Sequence, residues 1–195
     1  MSKVKVIDYT IDETGLYGVS AVSVVDKPAI EMDFVALSKQ DKKVFQSVQD
    51  GEKRMLYGPA LIPDQLIYRE EEDGTPFYIR YGKDVIEKIS QEFLRLNRQN
   101  NATFMHEISV AGVTIVESWL VGQVDKSQQF GFNLPEGSWF IGMKVYNDAI
   151  WEKAKAGDIK GFSIEGYFMN LSESLIESNK AEQVIEDFLN ELNNG

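Results

Sequence analysis

The chain has 195 residues, 43% of them hydrophobic and including 11 Phe, 8 Tyr and 3 Trp, enough for one globular core and too aromatic for wholesale disorder. With no cysteine, disulfides, thiolate catalysis and Cys-based zinc sites are excluded, and a reducing compartment is compatible. A net charge of −11, from 20 basic and 31 acidic residues, works against binding a nucleic-acid backbone; it favours basic partners or basic substrate segments, or simply keeps the chain in solution.

The N-terminus, Met1 to Asp8, lacks the apolar stretch and small-residue cleavage site of a signal peptide, and no run of about 18 uncharged apolar residues follows. A cytoplasmic address without a membrane is expected. Val4, Val6, Tyr9 and Ile11 read as a strand leading into the turn Asp12-Glu13-Thr14-Gly15, and Tyr17 to Val25 is a second, β-branched run. Asp26-Lys27-Pro28-Ala29 breaks it, because proline cannot donate to a ladder. Glu31 to Leu37 resumes as a short strand, and Lys39 to Glu52 reads as a surface connection or short helix. Arg54 to Arg69, with Tyr57-Gly58-Pro59 inside it, predicts two short strands around a tight turn. Glu70 to Gly74 looks like an acidic hairpin tip before a strand over Phe77–Tyr81.

Lys83 to Arg98 is the clearest helix, with Val85, Ile86, Ile89, Phe93, Leu94 and Leu96 mostly at three- and four-residue spacing. Val110 to Val121 and Gly137 to Tyr146 read as apolar strands. Asn147 caps a short helix over Asp148–Ala156, which Gly157 ends. Ile159 to Met169 is a further strand. From Glu177 an amphipathic helix is expected, with Ala181, Val184, Ile185, Phe188, Leu189 and Leu192 on one face, either packed or free to bind a partner.

Two residues draw attention as chemistry. His106 is the one histidine, 57 positions before Ser163 (163 − 106), and Ser163 lies in Gly161-Phe162-Ser163-Ile164-Glu165-Gly166. Imidazole is the side chain whose unperturbed pKa lies nearest physiological pH, so a hydroxyl nucleophile here has one obvious base. In an alternating strand Phe162 and Ile164 face one way, toward a core, while Ser163 and Glu165 face the other, toward a cleft or solvent. Spacing alone is weak evidence, and a lone histidine is more often structural. The segment is not a lipase-type nucleophile elbow, which needs glycine where this chain has Glu165.

The run Gly157 to Phe168 resembles the signature of phage prohead (capsid maturation) serine proteases of the XkdF-like family. Other blocks match in order: Val19 to Glu31 with its Val-Asp-x-Pro-Ala run, then Gly58 to Pro63 with Ile67-Tyr68-Arg69, and then His106 with Val116 to Val121 and Gly137-Ser138-Trp139. Together they span residues 5–170. The resemblance implies an α+β fold like the herpesvirus assembly protease (assemblin), a mostly antiparallel β-barrel surrounded by helices. A protease domain is expected over 1–176, with the amphipathic helix read from its spacing as a C-terminal unit over 177–195, packed or scaffold-binding.

On that resemblance Ser163 is the nucleophile and His106 the general base, with no cofactor and no metal. Herpesvirus relatives complete their triad with a second histidine, which this chain lacks. A carboxylate must then orient His106, or a dyad operates. Glu117 is the first choice, since it follows His106 in a matching block and an unpaired carboxylate in an apolar strand would be costly; the alternative is an edge residue pointing outward. Glu165 is second and Asp125 third. Arginines that bind the oxyanion in those relatives have no counterpart just after Ser163, which leaves backbone N–H groups. The expected function is a serine endopeptidase that cleaves phage scaffold and major capsid proteins, and itself, inside the prohead in the host cytoplasm, with self-association among its expectations. The alternatives are a catalytically silent scaffold or capsid-associated protein with the same fold, and an acidic binding module unrelated to phage.

Overall fold

Apolar, β-branched runs bounded by glycine, proline and Asx turns become strands, and the runs with three- and four-residue apolar spacing become helices. The computed structural model describes residues 4–12, 14–30, 35–37, 53–71, 73–176, 179–180 and 183. In chain order the strands are β1 (Lys5–Thr10), β2 (Gly18–Val25), β3 (Val35–Leu37), β4 (Met55–Leu61), β5 (Ile67–Glu70) and β6 (Pro76–Tyr81). After helix α1 (Lys83–Arg95) come β7 (Ala102–Phe104), β8 (Ile108–Ser109), β9 (Val113–Leu120) and β10 (Trp139–Val145). Helix α2 (Asp148–Ala156), β11 (Gly161–Tyr167) and β12 (Met169–Asn170) follow. Among the described residues no helix is long and apolar enough to cross a membrane.

The strands sort into three four-stranded sheets, ordered β12-β1-β6-β5, β3-β4-β10-β9 and β11-β2-β7-β8. Pairing is antiparallel except for β1 with β6 and β2 with β7. The expected α+β class and antiparallel bias are therefore present. The expected barrel is not: the described strands form no closed barrel, because each sheet ends on edge strands instead of pairing with the next.

Packing explains why three sheets suffice. One core joins Val22 and Val24 of β2, Leu56 of β4, Ile79 of β6, Ile89 and Phe93 of α1, and Ile141 and Met143 of β10. Trp151 of α2 and Phe162 of β11 complete it. The β4–β10 sheet is buried on both faces, since Met55, Tyr57 and Phe140 point into a second cluster with Val121, Trp119 and Phe130. That is why these strands read as continuous apolar runs. Pro59 sits inside β4, where the register with β10 slips between Trp139 and Phe140; a bulge tolerates the missing donor. The strands on either side of Pro63 do not pair with each other, as β4 and β5 belong to different sheets.

Helix α1 ends earlier than its periodicity suggests, at Arg95, with Asn97 in the left-handed region at φ 55°. Asn147 caps α2 by accepting from the Ile150 N–H at 3.1 Å, and Gly157 closes it at φ 79°. Residues 171–176 are helical. The apolar face expected over Val184–Leu192 and the connection Lys39–Glu52 lie outside the described residues.

Candidate active site

Strand β11 carries the serine. It pairs antiparallel with β2, Ser163 opposite Ser23 and Glu165 opposite Ala21. Alternation works as expected: Phe162 is 1% exposed in the core, while Ser163 and Glu165 share the other face. After Glu165 the register slips. There the strands approach so closely that a Cβ on Gly166 would lie 2.0 Å from the Gly18 carbonyl oxygen, so only glycine fits. Ser20 Oγ donates to the Glu165 carbonyl at 3.1 Å, tying down the same irregularity.

Ala21 and Ser23 leave the middle of the sheet low on this face. Glu165 can therefore reach across β2 to the far side, where β7 runs parallel to it. Thr103 Oγ1 donates to Glu165 Oε1 there.

His106 does not sit on a strand. It follows β7 in the turn to β8, where Glu107 N donates to the Phe104 carbonyl at 3.1 Å. Both central residues are left-handed, Met105 at φ 52° and His106 at φ 62°, a pattern of type I′ turns that non-glycine residues rarely adopt. Two bonds hold the turn against β2. Met105 N donates to the Val24 carbonyl at 3.1 Å, and His106 N donates to Ser23 Oγ at 3.0 Å.

The imidazole meets a carboxylate. His106 Nδ1 lies 3.0 Å from Glu165 Oε1. A carboxylate can only accept, so the ring hydrogen belongs on Nδ1 and the Nε2 lone pair is left free. His106 and Ser163 line one open cleft of about 780 Å³ with Glu165, Tyr81 and Phe168. Ser163 itself is 6% exposed, at the floor of that cleft.

The expectation that Glu117 orients this ring does not match the geometry. Glu117 lies on β9, where its Oε1 accepts from Tyr57 Oη at 2.5 Å and its Oε2 from Lys126 Nζ at 2.6 Å. Burial pushes its carboxyl up, but the bonds from Lys126 and Tyr57 outweigh this and hold it below the ordinary glutamate range. Tyr57 is pushed up in turn, by burial first and then by Glu117. The carboxylate beside His106 is Glu165. Asp125 is also elsewhere, accepting from Ser127 N at 2.7 Å and from Trp119 Nε1 at 3.1 Å, at the head of a 3-10 turn over Lys126–Phe130. Trp139 and Trp151 are core residues, and Trp119 belongs to the second cluster.

The family described as "Putative phage serine protease XkdF" matches residues 41–171, about two-thirds of the chain and a span that includes His106, Ser163 and Glu165. The chain belongs to this family. No curated protein and no solved structure matches it.

For a phage serine protease of this family, three residues near the cleft were passed over in the sequence. Ser23 is a small hydroxyl residue in a β-branched run and Thr103 one beside Ala102 and Phe104, and nothing local marks either until β2 and β7 are seen side by side. Arg69 was visible, inside the matching Ile67-Tyr68-Arg69 block, but without a role. It lines the cleft with Ser163. Its Nη1 donates to the Tyr68 carbonyl at 2.8 Å, and its charge acts on Tyr81, opposing the upward push of burial on that phenol.

Proposed function

We propose that this chain is the prohead serine endopeptidase of its phage, cutting scaffold and capsid proteins inside the immature capsid with Ser163, His106 and Glu165. One observation carries the reading: Glu165 Oε1 lies 3.0 Å from His106 Nδ1, in a cleft that Ser163 also lines. Glu165 accepts the Nδ1 hydrogen and fixes the ring's tautomer. Nε2 then takes the Ser163 Oγ proton as Oγ bonds to a peptide carbonyl carbon, and returns it to the leaving amine as the C–N bond breaks. Water then attacks the acyl carbon and gives a proton to the same nitrogen, which passes it to Ser163 Oγ as the ester bond breaks. Arg69 supplies positive charge in the cleft for the developing oxyanion, alongside backbone N–H groups.

The placement of His106 supports this reading. Two consecutive left-handed non-glycine residues, Met105 and His106, persist because the surrounding structure holds them in place. Here two bonds to β2 perform that task. Co-expression with the neighbouring scaffold and major capsid proteins tests the proposal. Wild type should process them, and Ser163→Ala or His106→Ala should lose processing by several orders of magnitude. Identical cleavage patterns for wild type and Ser163→Ala would overturn it.

A further inference from the structure

The cleft beside Ser163 does not end at the reacting residues. A second hollow of about 670 Å³ adjoins it, and Lys27, Ala29 and Arg69 line both, so the two form one groove. Lys160 and Tyr78 line the second hollow and not the first. The Lys160 N–H donates to the Val25 carbonyl at 2.7 Å, which holds Lys160 against the end of β2, two residues from Lys27 (27 − 25).

Charge in this groove runs against the molecule as a whole. The chain carries −11, yet Lys27, Arg69 and Lys160 gather here against the carboxylates of Asp26 and Glu165. Glu165 is already engaged by Thr103 and His106. Several cations elsewhere are neutralised by carboxylates, as in Arg54–Asp148, Lys83–Glu136 and Lys126–Glu117. Lys27 and Lys160 are both exposed, and among the described residues neither makes an ion pair.

We propose that this groove binds the substrate chain and selects acidic segments, with Lys27 and Lys160 as the residues that read them. The whole-molecule charge favours basic partners at long range, but within a Debye length the groove's own cations dominate. Lys160 lies three residues before Ser163 (163 − 160), which is about 10 Å along an extended chain. An Asp or Glu about three residues from the scissile bond would therefore meet Lys160, and one nearer the bond would meet Lys27. The inference rests on the serine-protease reading for the location of the scissile bond, but the binding preference can be measured without catalysis.

The full chain carrying Ser163→Ala is titrated into two fluorescein-labelled extended dodecapeptides, one with glutamates interspersed among Ala and Leu, the other with lysines in their place. Anisotropy should show the acidic peptide bound about tenfold tighter at 50 mM NaCl, with the advantage shrinking at 300 mM. Adding Lys27→Glu and Lys160→Glu should abolish the preference. If that double variant does not fold, the single exposed change Lys160→Glu should reduce it. Equal affinity for the two peptides, binding of neither, or a preference unchanged by charge reversal overturns the groove. Processing of co-expressed capsid proteins by wild type reports separately on the protease. Ser163-dependent processing without an acidic preference sinks the groove alone, and an acidic preference without processing sinks the protease reading alone.

Discussion

Glu165 and Glu117 are both partly buried carboxylates on strands, and they differ in what lies within reach. Glu165 looks across Ala21 and Ser23 to Thr103 and His106. Glu117 looks across to Tyr57, 60 positions away in the chain, and to Lys126. The rule that a carboxylate in an apolar strand needs partners holds for both. Sequence alone does not say which strand lies alongside, so it ranked Glu117 above Glu165 although alternation already put Glu165 on the Ser163 face. Glu165→Gln should lower kcat by about 10²–10⁴-fold with KM little changed, because an amide no longer fixes the imidazole tautomer. Glu117→Gln should stay within about threefold of wild type, since its partners Tyr57 and Lys126 do not line the cleft. Steady-state cleavage of a purified capsid-derived substrate by both variants decides it; the reverse ranking would give the orienting role to Glu117.

At the scale of elements, β11 was legible and the turn after β7 was not. Alternating Phe162, Ser163, Ile164 and Glu165 announce a strand with two different faces, and the structure keeps them apart. The segment around His106 reads as a turn followed by a short strand that delivers the imidazole. In the structure the turn over Arg98–Asn100 and then β7 do follow in that order, but the strand stops at Phe104 and the imidazole sits in the next turn. That turn was not legible, because Phe104-Met105-His106-Glu107 contains neither glycine nor asparagine to signal left-handed backbone. What stabilises the turn is a buried hydroxyl from another strand. Ser23 is 0% exposed, and its Oγ accepts the His106 N–H at 3.0 Å while donating to the Thr103 carbonyl at 3.4 Å. Ser23 is thus a positioning residue, acting through the His106 backbone. Ser23→Ala should destabilise the fold by about 1–3 kcal/mol, since it leaves a donor without its partner. It should also lower kcat per folded molecule with KM unchanged. If kcat, corrected for the folded fraction from a urea titration, matches wild type, Ser23 serves stability alone.

For the whole molecule, the elements could be read while their partners could not. Parallel pairing of β2 with β7 joins residues about 80 positions apart, and that of β1 with β6 about 72, distances over which local pattern carries no information. The barrel therefore rested on resemblance alone, and three sheets around a shared core took its place. The same long-range packing sets how stability depends on pH. Burial pushes Glu117 and Asp125 up, but Lys126 and Tyr57 at the first, and Ser127, Trp119 and Gly122 at the second, hold both carboxyls below their ordinary values. A carboxyl depressed in the folded state binds protons more readily once unfolded. Its contribution is complete above the unfolded values of about 4 and is lost as pH falls from there through the folded value. Tyr57 and Tyr81 shift the other way, raised chiefly by burial, so their contribution is complete below the unfolded phenol value of about 10 and is lost as pH rises beyond it. Urea midpoints should therefore hold level between about pH 5 and pH 9 and fall on both sides. The Glu117→Gln, Asp125→Asn double variant should be less stable on the plateau and show a shallower decline toward pH 3. Tyr57→Phe should soften the alkaline decline while leaving much of the acid one. An acid limb as steep in the double variant as in wild type would mean that other carboxylates drive acid unfolding, and that the Tyr57–Glu117–Lys126 contact contributes little to holding β4 against β9 through the intervening β10.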